Sequence, residues 1–127
     1  MSKVIGTKTG SESQILAVGS YRPKRLVPNS EIVDRIESSD EWIQQRTGIE
    51  SRRFADESES LLEMATWAVE DALKNAKLSI TDIDTLIVAT ITFPFQAPSA
   101  ATAILQKLGH PKAAAFDINA ACAGFSY

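Results

Sequence analysis

AAAFDINAACAGFSY, residues 113–127, runs from an apolar stretch into a cluster of small residues. Ala113 to Ile118 reads as a short strand, and Asn119 opens a turn into a helix that begins near Cys122. Ala120, Ala121, Ala123 and Gly124 leave little bulk around the cysteine, as a sharp strand-to-helix turn requires. At a helix N-terminus the unpaired backbone N–H groups and the macrodipole favour a thiolate over a thiol. A thiolate attacking a thioester yields another thioester, which keeps the acyl group activated for a second step. Cys122 is thus a candidate nucleophile. The plain alternative is a small buried hydrophobe, the usual role of a lone cysteine among alanines.

Moving back along the chain, Leu86 to Ile91 (LIVATI) is continuously apolar, as expected of a strand covered on both faces. A helix from about Pro98 to Leu108 separates it from the 113–118 strand, with Gly109 just past its end. The clearest helix runs from Ser60 to Lys77, capped by Ser60-x-x-Glu63. Its stripe of Leu61, Ala65, Ala68, Ala72 and Ala76 predicts close packing on a sheet. Strands alternating with helices indicate an α/β layered fold with a mixed, largely parallel sheet.

The first third is more broken. Residues 1–13 are rich in Ser, Thr, Gly and Lys and read as a mobile lead-in, with one continuous domain over 14–127. Ile15 to Gly19 (ILAVG) reads as a buried strand. Pro23 and Pro28 bracket a turn, and Asn29 is placed to cap a helix through Ile32, Val33 and Ile36. Ser38-x-x-Glu41 suggests a capping box for a second short helix ending at Gly48. Ile49 to Phe54 is too basic for a core strand and fits an edge strand or a turn.

Composition narrows the function classes. The chain has 127 residues, 44% hydrophobic and 23% charged, which suits a soluble globular protein. Thirteen basic against sixteen acidic side chains give a net charge of -3, which argues against a nucleic-acid binder. No stretch approaches the roughly 20 apolar residues that span a bilayer, and the N-terminal residues lack the apolar core of a secretory signal. One cysteine and one histidine exclude an internal disulfide and make a structural zinc site improbable. A cytoplasmic protein with no metal and no membrane partner is expected. The final helix cannot bury its apolar face in five residues, so the chain is expected to be the N-terminal part of a longer protein.

Trp42 and Arg46 stand four residues apart and share a helix face. An indole beside a guanidinium can stack on a planar base and contact phosphate, as a nucleotide-bearing thiol such as coenzyme A would require. Ser38 adds a hydroxyl nearby. The alternative is a surface cation–π pair that only steadies the helix. Arg46, Arg52 and Arg53 make a basic stretch that would suit an acidic carrier domain or, more plainly, a solvated edge. His110, between Gly109 and Pro111, reads as a surface loop residue.

Taken together, SSDEWIQQRTGIESRR (38–53), FPFQAPSAATAILQKLG (93–109) and FDINAACAGFSY (116–127) closely resemble β-ketoacyl-acyl-carrier-protein synthase III, the initiating condensing enzyme of bacterial fatty acid synthesis. GSYRPKRLVPN (19–29) fits as well, so the resemblance covers about residues 14–127. It implies the N-terminal half of a thiolase fold in a cytoplasmic homodimer, with no tightly bound cofactor. It also implies that Cys122 takes an acyl group from acyl-CoA, which then condenses with malonyl-acyl carrier protein as CO2 is lost. Trp42 and Arg46, with Ser38 assisting, match the family positions that hold the adenine end of coenzyme A. The backbone N–H of Cys122 matches part of the oxyanion hole. The family's histidine and asparagine lie downstream of Tyr127, and His110 does not match that histidine. Ala97 falls in a loop that, in the family, reaches the partner's acyl pocket, so branched or longer primers are expected to be accepted. A related condensing enzyme of secondary metabolism and a non-catalytic acyl or carrier-protein binding module are the competing expectations.

Overall fold

The computed structural model describes residues 13–127, so residues 1–12 of the expected lead-in lie outside the described residues. The chain divides into two compact units, one of residues 22–64 and one of 13–21 together with 65–127.

In the unit of residues 22–64, β1 (Arg25–Pro28) pairs antiparallel with β2 (Ser51–Phe54), with Val27 opposite Arg52. Of the edge strand or turn expected over Ile49 to Phe54, the strand is what forms. The prolines at 23 and 28 bracket a strand rather than a turn, because proline's fixed φ suits extended backbone at a strand end. The helix expected from Asn29 is instead two 3-10 helices, Asn29–Glu31 and Val33–Arg35, after which Ile36 is extended. Asn29 does not cap from outside. Its side chain is wholly buried, where it donates to Asp40 Oδ1 (2.6 Å) and the Ile49 carbonyl (2.7 Å) and accepts from Arg52. Its backbone N–H donates to Glu50 O (3.2 Å), so one residue joins β1, β2 and the following helix. Helix α1 (Asp40–Thr47) is capped by Ser39, whose Oγ accepts the Trp42 N–H at 3.2 Å, one residue later than the expected box at Ser38. Gly48 closes it as expected, at φ +69°.

Glu59 is the unit's other polar anchor. Its carboxylate is 1% exposed and accepts the backbone N–H groups of Lys24 (3.0 Å) and Asp56 (3.1 Å).

Helix α2 (Leu61–Ala76) forms where the capping box and stripe place it. Ser60 Oγ accepts the Glu63 N–H at 3.3 Å and also meets the Glu63 carboxylate. The small residues of its stripe admit residues 18–21 rather than a sheet. A Cβ at Gly19 would lie 2.2 Å from Ala72 N and 2.4 Å from Ala68 O. On either side of that contact, Ser20 N–H donates to Asp71 Oδ2 (2.9 Å) and Asn75 Nδ2 donates to the Val18 carbonyl (3.0 Å). Tyr21 stacks at a tilt on Trp67, with ring centroids 4.5 Å apart.

The strand expected over Ile15–Gly19 is absent. Among the described residues it has no ladder partner, Ile15 and Val18 are largely exposed, and α2 side chains take up the Val18 carbonyl and the N–H of Ser20 just beyond it. An apolar run makes a strand only where another strand edge reaches it. Gly19→Ala forces a methyl into helix backbone, which cannot swing away as a side-chain tip can. In the full-length protein it is expected to cost about 2–3 kcal/mol, read as a lowered denaturation midpoint. A midpoint equal to that of the parent would mean that this segment is not seated on α2.

After a 3-10 turn at Ile80–Asp82, β3 (Thr85–Ala89) lies parallel to β4 (Ala114–Ile118), with Ile87 opposite Phe116 and Val88 opposite Asp117. Helix α3 (Ala100–Lys107) connects them and packs on both strands. Ala100, Ala101 and Ile104 are fully buried there, and Leu105 nearly so. Among the described residues the expected cover on both faces of β3 is not present: Ile87 and Phe116 are 48% and 46% exposed. One connecting helix covers only one face of a two-stranded sheet. His110 is half-buried rather than on the surface, and its Nε2 stands 3.1 Å from the Ile83 carbonyl, linking the connectors that lead into β3 and β4.

Candidate active site

The end of β4 is held from three directions before the chain reaches Cys122. Ile118 O accepts the Thr90 N–H (3.1 Å), which extends the β3–β4 ladder by one rung. Asp117 Oδ2 and Oδ1 accept the N–H groups of Ala100 (2.7 Å) and Ala101 (2.8 Å) at the start of α3. Gly124 is buried against β3, where an added Cβ would come 3.0 Å from the Ala89 Cβ. Gly124, one of the small residues near the cysteine, thus answers to a packing demand.

Between these anchors the turn is tight. Ala120 sits at φ -135°, ψ 29°, and Ala121 at φ +45°, a conformation that costs a non-glycine residue on the order of 1 kcal/mol. The strain falls on Ala121, which leaves Cys122 in the 3-10 helix Ala121–Phe125 with its side chain exposed. Cys122 is therefore not the buried hydrophobe that its alanine neighbours allow. The expected helix start is replaced by i→i+3 bonds, Ala123 N–H to Ala120 O (3.0 Å) and Ser126 N–H to Ala123 O (2.9 Å). Exposure and small neighbours are what make the sulfur accessible.

The loop before α3 borders a cavity of about 590 Å³ lined by residues that include Thr90, Phe93, Phe95, Gln96, Phe116 and Asn119. Phe93 and Phe95 meet edge to face at 5.7 Å. Ala97 is exposed and does not line this cavity; it precedes a cis bond to Pro98.

In the other unit, α1 brings Trp42 and Arg46 together as their spacing predicts. The guanidinium carbon lies 5.9 Å from the indole centroid, and Trp42 is 55% exposed, so a ring face and a charge are offered side by side. Ser38, just before the helix cap, has a buried Oγ with no hydrogen-bond partner among the described residues. At the start of α1, hydrogen bonds from Gln44 and then Asn29 hold the Asp40 carboxyl below its ordinary pKa. The basic stretch has a structural role: Arg52 bonds Asn29 Oδ1 and the Val27 carbonyl, and Arg53 bonds the Pro23 and Lys24 carbonyls. Among the described residues there is no cluster of three or more His, Cys, Asp or Glu that would hold a metal ion, and no helix is long and apolar enough to cross a membrane.

Asp117 and Gly19 escaped the sequence reading. The signal for Asp117 was there: a charged residue inside an otherwise apolar strand needs a buried partner.

No family model matches the chain. The curated relatives nevertheless match nearly all of it. The mycobacterial β-ketoacyl-acyl-carrier-protein synthase III of Mycobacterium tuberculosis is 51% identical over 124 residues, which is 97% of this chain and 37% of that protein. Among solved structures, the priming β-ketosynthase of the R1128 polyketide biosynthetic pathway is 44% identical with a TM-score of 0.84, covering 88% of this chain and 34% of that one. The 3-oxoacyl-acyl-carrier-protein synthase III of Aquifex aeolicus is 42% identical with a TM-score of 0.83, covering 88% and 36%. The chain spans little more than a third of the curated relatives it matches, 36–38% of their length among the first of them. In sequence and in its thiolase-like fold, the chain corresponds to the N-terminal part of the β-ketoacyl-acyl-carrier-protein synthase III family.

Proposed function

We propose that these residues are the N-terminal part of an acyltransferase that starts fatty acid synthesis, with Cys122 as its nucleophile. The observation that carries this reading is the exposed thiol of Cys122 on a strained turn, anchored by Asp117, Ile118 and Gly124, within the intact DINAACAGF motif. The Cys122 thiolate attacks the thioester carbonyl of acyl-CoA; a new C–S bond forms, the bond to coenzyme A breaks, and the coenzyme A thiolate takes up a proton. The Cys122 N–H serves in the oxyanion hole. Malonyl-acyl carrier protein then loses CO2, and the carbanion equivalent so formed attacks the acyl carbonyl and releases Cys122. Histidine and asparagine supplied from further along a full-length chain stabilise that carbanion. Coenzyme A is a substrate here rather than a resident cofactor. The working form is a cytoplasmic homodimer.

Trp42 and Arg46, assisted by Ser38, bind the adenine end of coenzyme A. Their exposure and mutual stacking support this, since a purely structural pair would need no open indole face. Trp42→Ala and Arg46→Ala in the full-length enzyme are expected to raise the KM for acyl-CoA about 5- to 100-fold, the equivalent of about 1–3 kcal/mol, at nearly constant kcat. Unchanged KM in both variants would assign the pair to holding α1 alone.

A second reading, a priming condensing enzyme of secondary metabolism, is favoured by the similarity to the R1128 ketosynthase. The two differ in acyl donor and acceptor. The test of the shared chemistry is to incubate the full-length enzyme with labelled acetyl-CoA and map the adduct by peptide mass spectrometry. Label on a residue other than Cys122 would sink both readings. Comparing acetyl-, isobutyryl- and hexanoyl-CoA as donors then shows which primer is used.

A further inference from the structure

We propose that Asp117 is a positioning residue for Cys122: by holding the end of β4 on the first turn of α3, it sets where the sulfur stands. This rests on the reading of Cys122 as the nucleophile. Helix α3 already has a local cap, since Ser99 Oγ accepts the Thr102 N–H at 3.1 Å. The two donors that Asp117 satisfies are answered instead from another element, 16 and 17 residues further along the chain. A carboxylate accepting two N–H groups at the positive end of a helix gives short, directional bonds. Here those bonds tie two elements together rather than finish one.

Asp117 stands opposite Val88 in the parallel register, and the next residue, Ile118, takes the last ladder bond from Thr90. Only Asn119, Ala120 and the strained Ala121 separate that rung from Cys122. A shift at the end of β4 therefore reaches the sulfur through a short tight turn with little slack. Misplacing a reacting group by about 1 Å can cost a hundredfold in rate.

Asp117→Asn separates this role from plain helix capping. The amide keeps the shape, but it has one accepting oxygen and turns an NH2 toward the second N–H. Ser99→Ala is the companion variant, because it removes the local cap of the same helix and leaves β4 untouched. In the full-length enzyme, single-turnover loading of an acetyl group from acetyl-CoA is followed by intact-protein mass spectrometry. Asp117→Asn is expected to load about 10- to 100-fold more slowly, with the apparent KM for acetyl-CoA changed by less than about threefold. Ser99→Ala is expected to load within about threefold of the parent. Equal loading by Asp117→Asn and the parent, or equal slowing by Ser99→Ala, would overturn the proposal. If Asp117→Asn does not fold, Asp117→Ser, with a hydroxyl acceptor and less bulk, is read by the same criteria. A parent enzyme that takes up no acyl group overturns the nucleophile reading and this one together, whereas a parent that loads alongside an equally fast Asp117→Asn overturns this one alone.

Discussion

Cys122→Ser in the full-length protein is expected to abolish acyl uptake from acyl-CoA and to lower condensation by at least about a thousandfold, while the protein remains folded. A large effect is expected because the proposed chemistry rests on one atom. A thiol reaches its anion within a unit or two of neutral pH, whereas an alcohol needs an adjacent base to do so. The chain's lone histidine, His110, is committed to the Ile83 carbonyl beside β3. The swap is nearly isosteric, and the Cys122 side chain is exposed, so no core packing is lost. Acyl uptake and circular dichroism together check the result. An acyl adduct of unchanged size in the folded variant would remove Cys122 from the mechanism.

Glu59→Ala is expected to destabilise the protein by about 4 kcal/mol without touching the proposed chemistry. The buried carboxylate accepts two backbone N–H groups, from Lys24 and Asp56. Removing it leaves both donors unpaired in a site that excludes water, and each lost bond to a charged acceptor costs about 1.5–3 kcal/mol. Thermal unfolding should show a midpoint lowered by about 10 °C. Glu59→Gln retains one acceptor and should fall between the parent and Glu59→Ala. Midpoints for both variants within 2 °C of the parent, about the effect of a surface substitution, would mean that water reaches these amides and the carboxylate is not their anchor.

The candidate functional residues were legible because each carries its chemistry locally. Cys122 was marked by the small residues around it, and the structure explains them: Gly124 must clear Ala89, and the turn must admit the strained Ala121. Trp42 and Arg46 were marked by a spacing of four, which a helix converts directly into contact. Helix α2 was equally readable, since its cap at Ser60 and its apolar stripe are properties of neighbouring residues, and α3 was bracketed by Pro98 and Gly109. The strands over LIVATI and AAAFDI formed as a parallel pair for the same reason.

What the residues could not announce is where distant groups meet. Asn29 looks like a helix cap, because asparagine often is one; only the convergence of β1, β2 and α1 turns its side chain inward to three partners. Arg52 and Arg53 look like a solvated basic edge until the carbonyls they bond are brought beside them. ILAVG has the composition of a strand, but a ladder needs two edges, and these residues meet the backbone of α2 instead. Local propensity and spacing thus determined helices α1, α2 and α3 and the two strands that pair in parallel, and marked Cys122 as a candidate nucleophile. Tertiary structure alone decided which buried polar groups are satisfied, and by what. The side-chain bonds of Asn29 join residues 11 to 23 positions apart, and the Lys24–Glu59 bond spans 35, separations that no capping rule or periodicity covers.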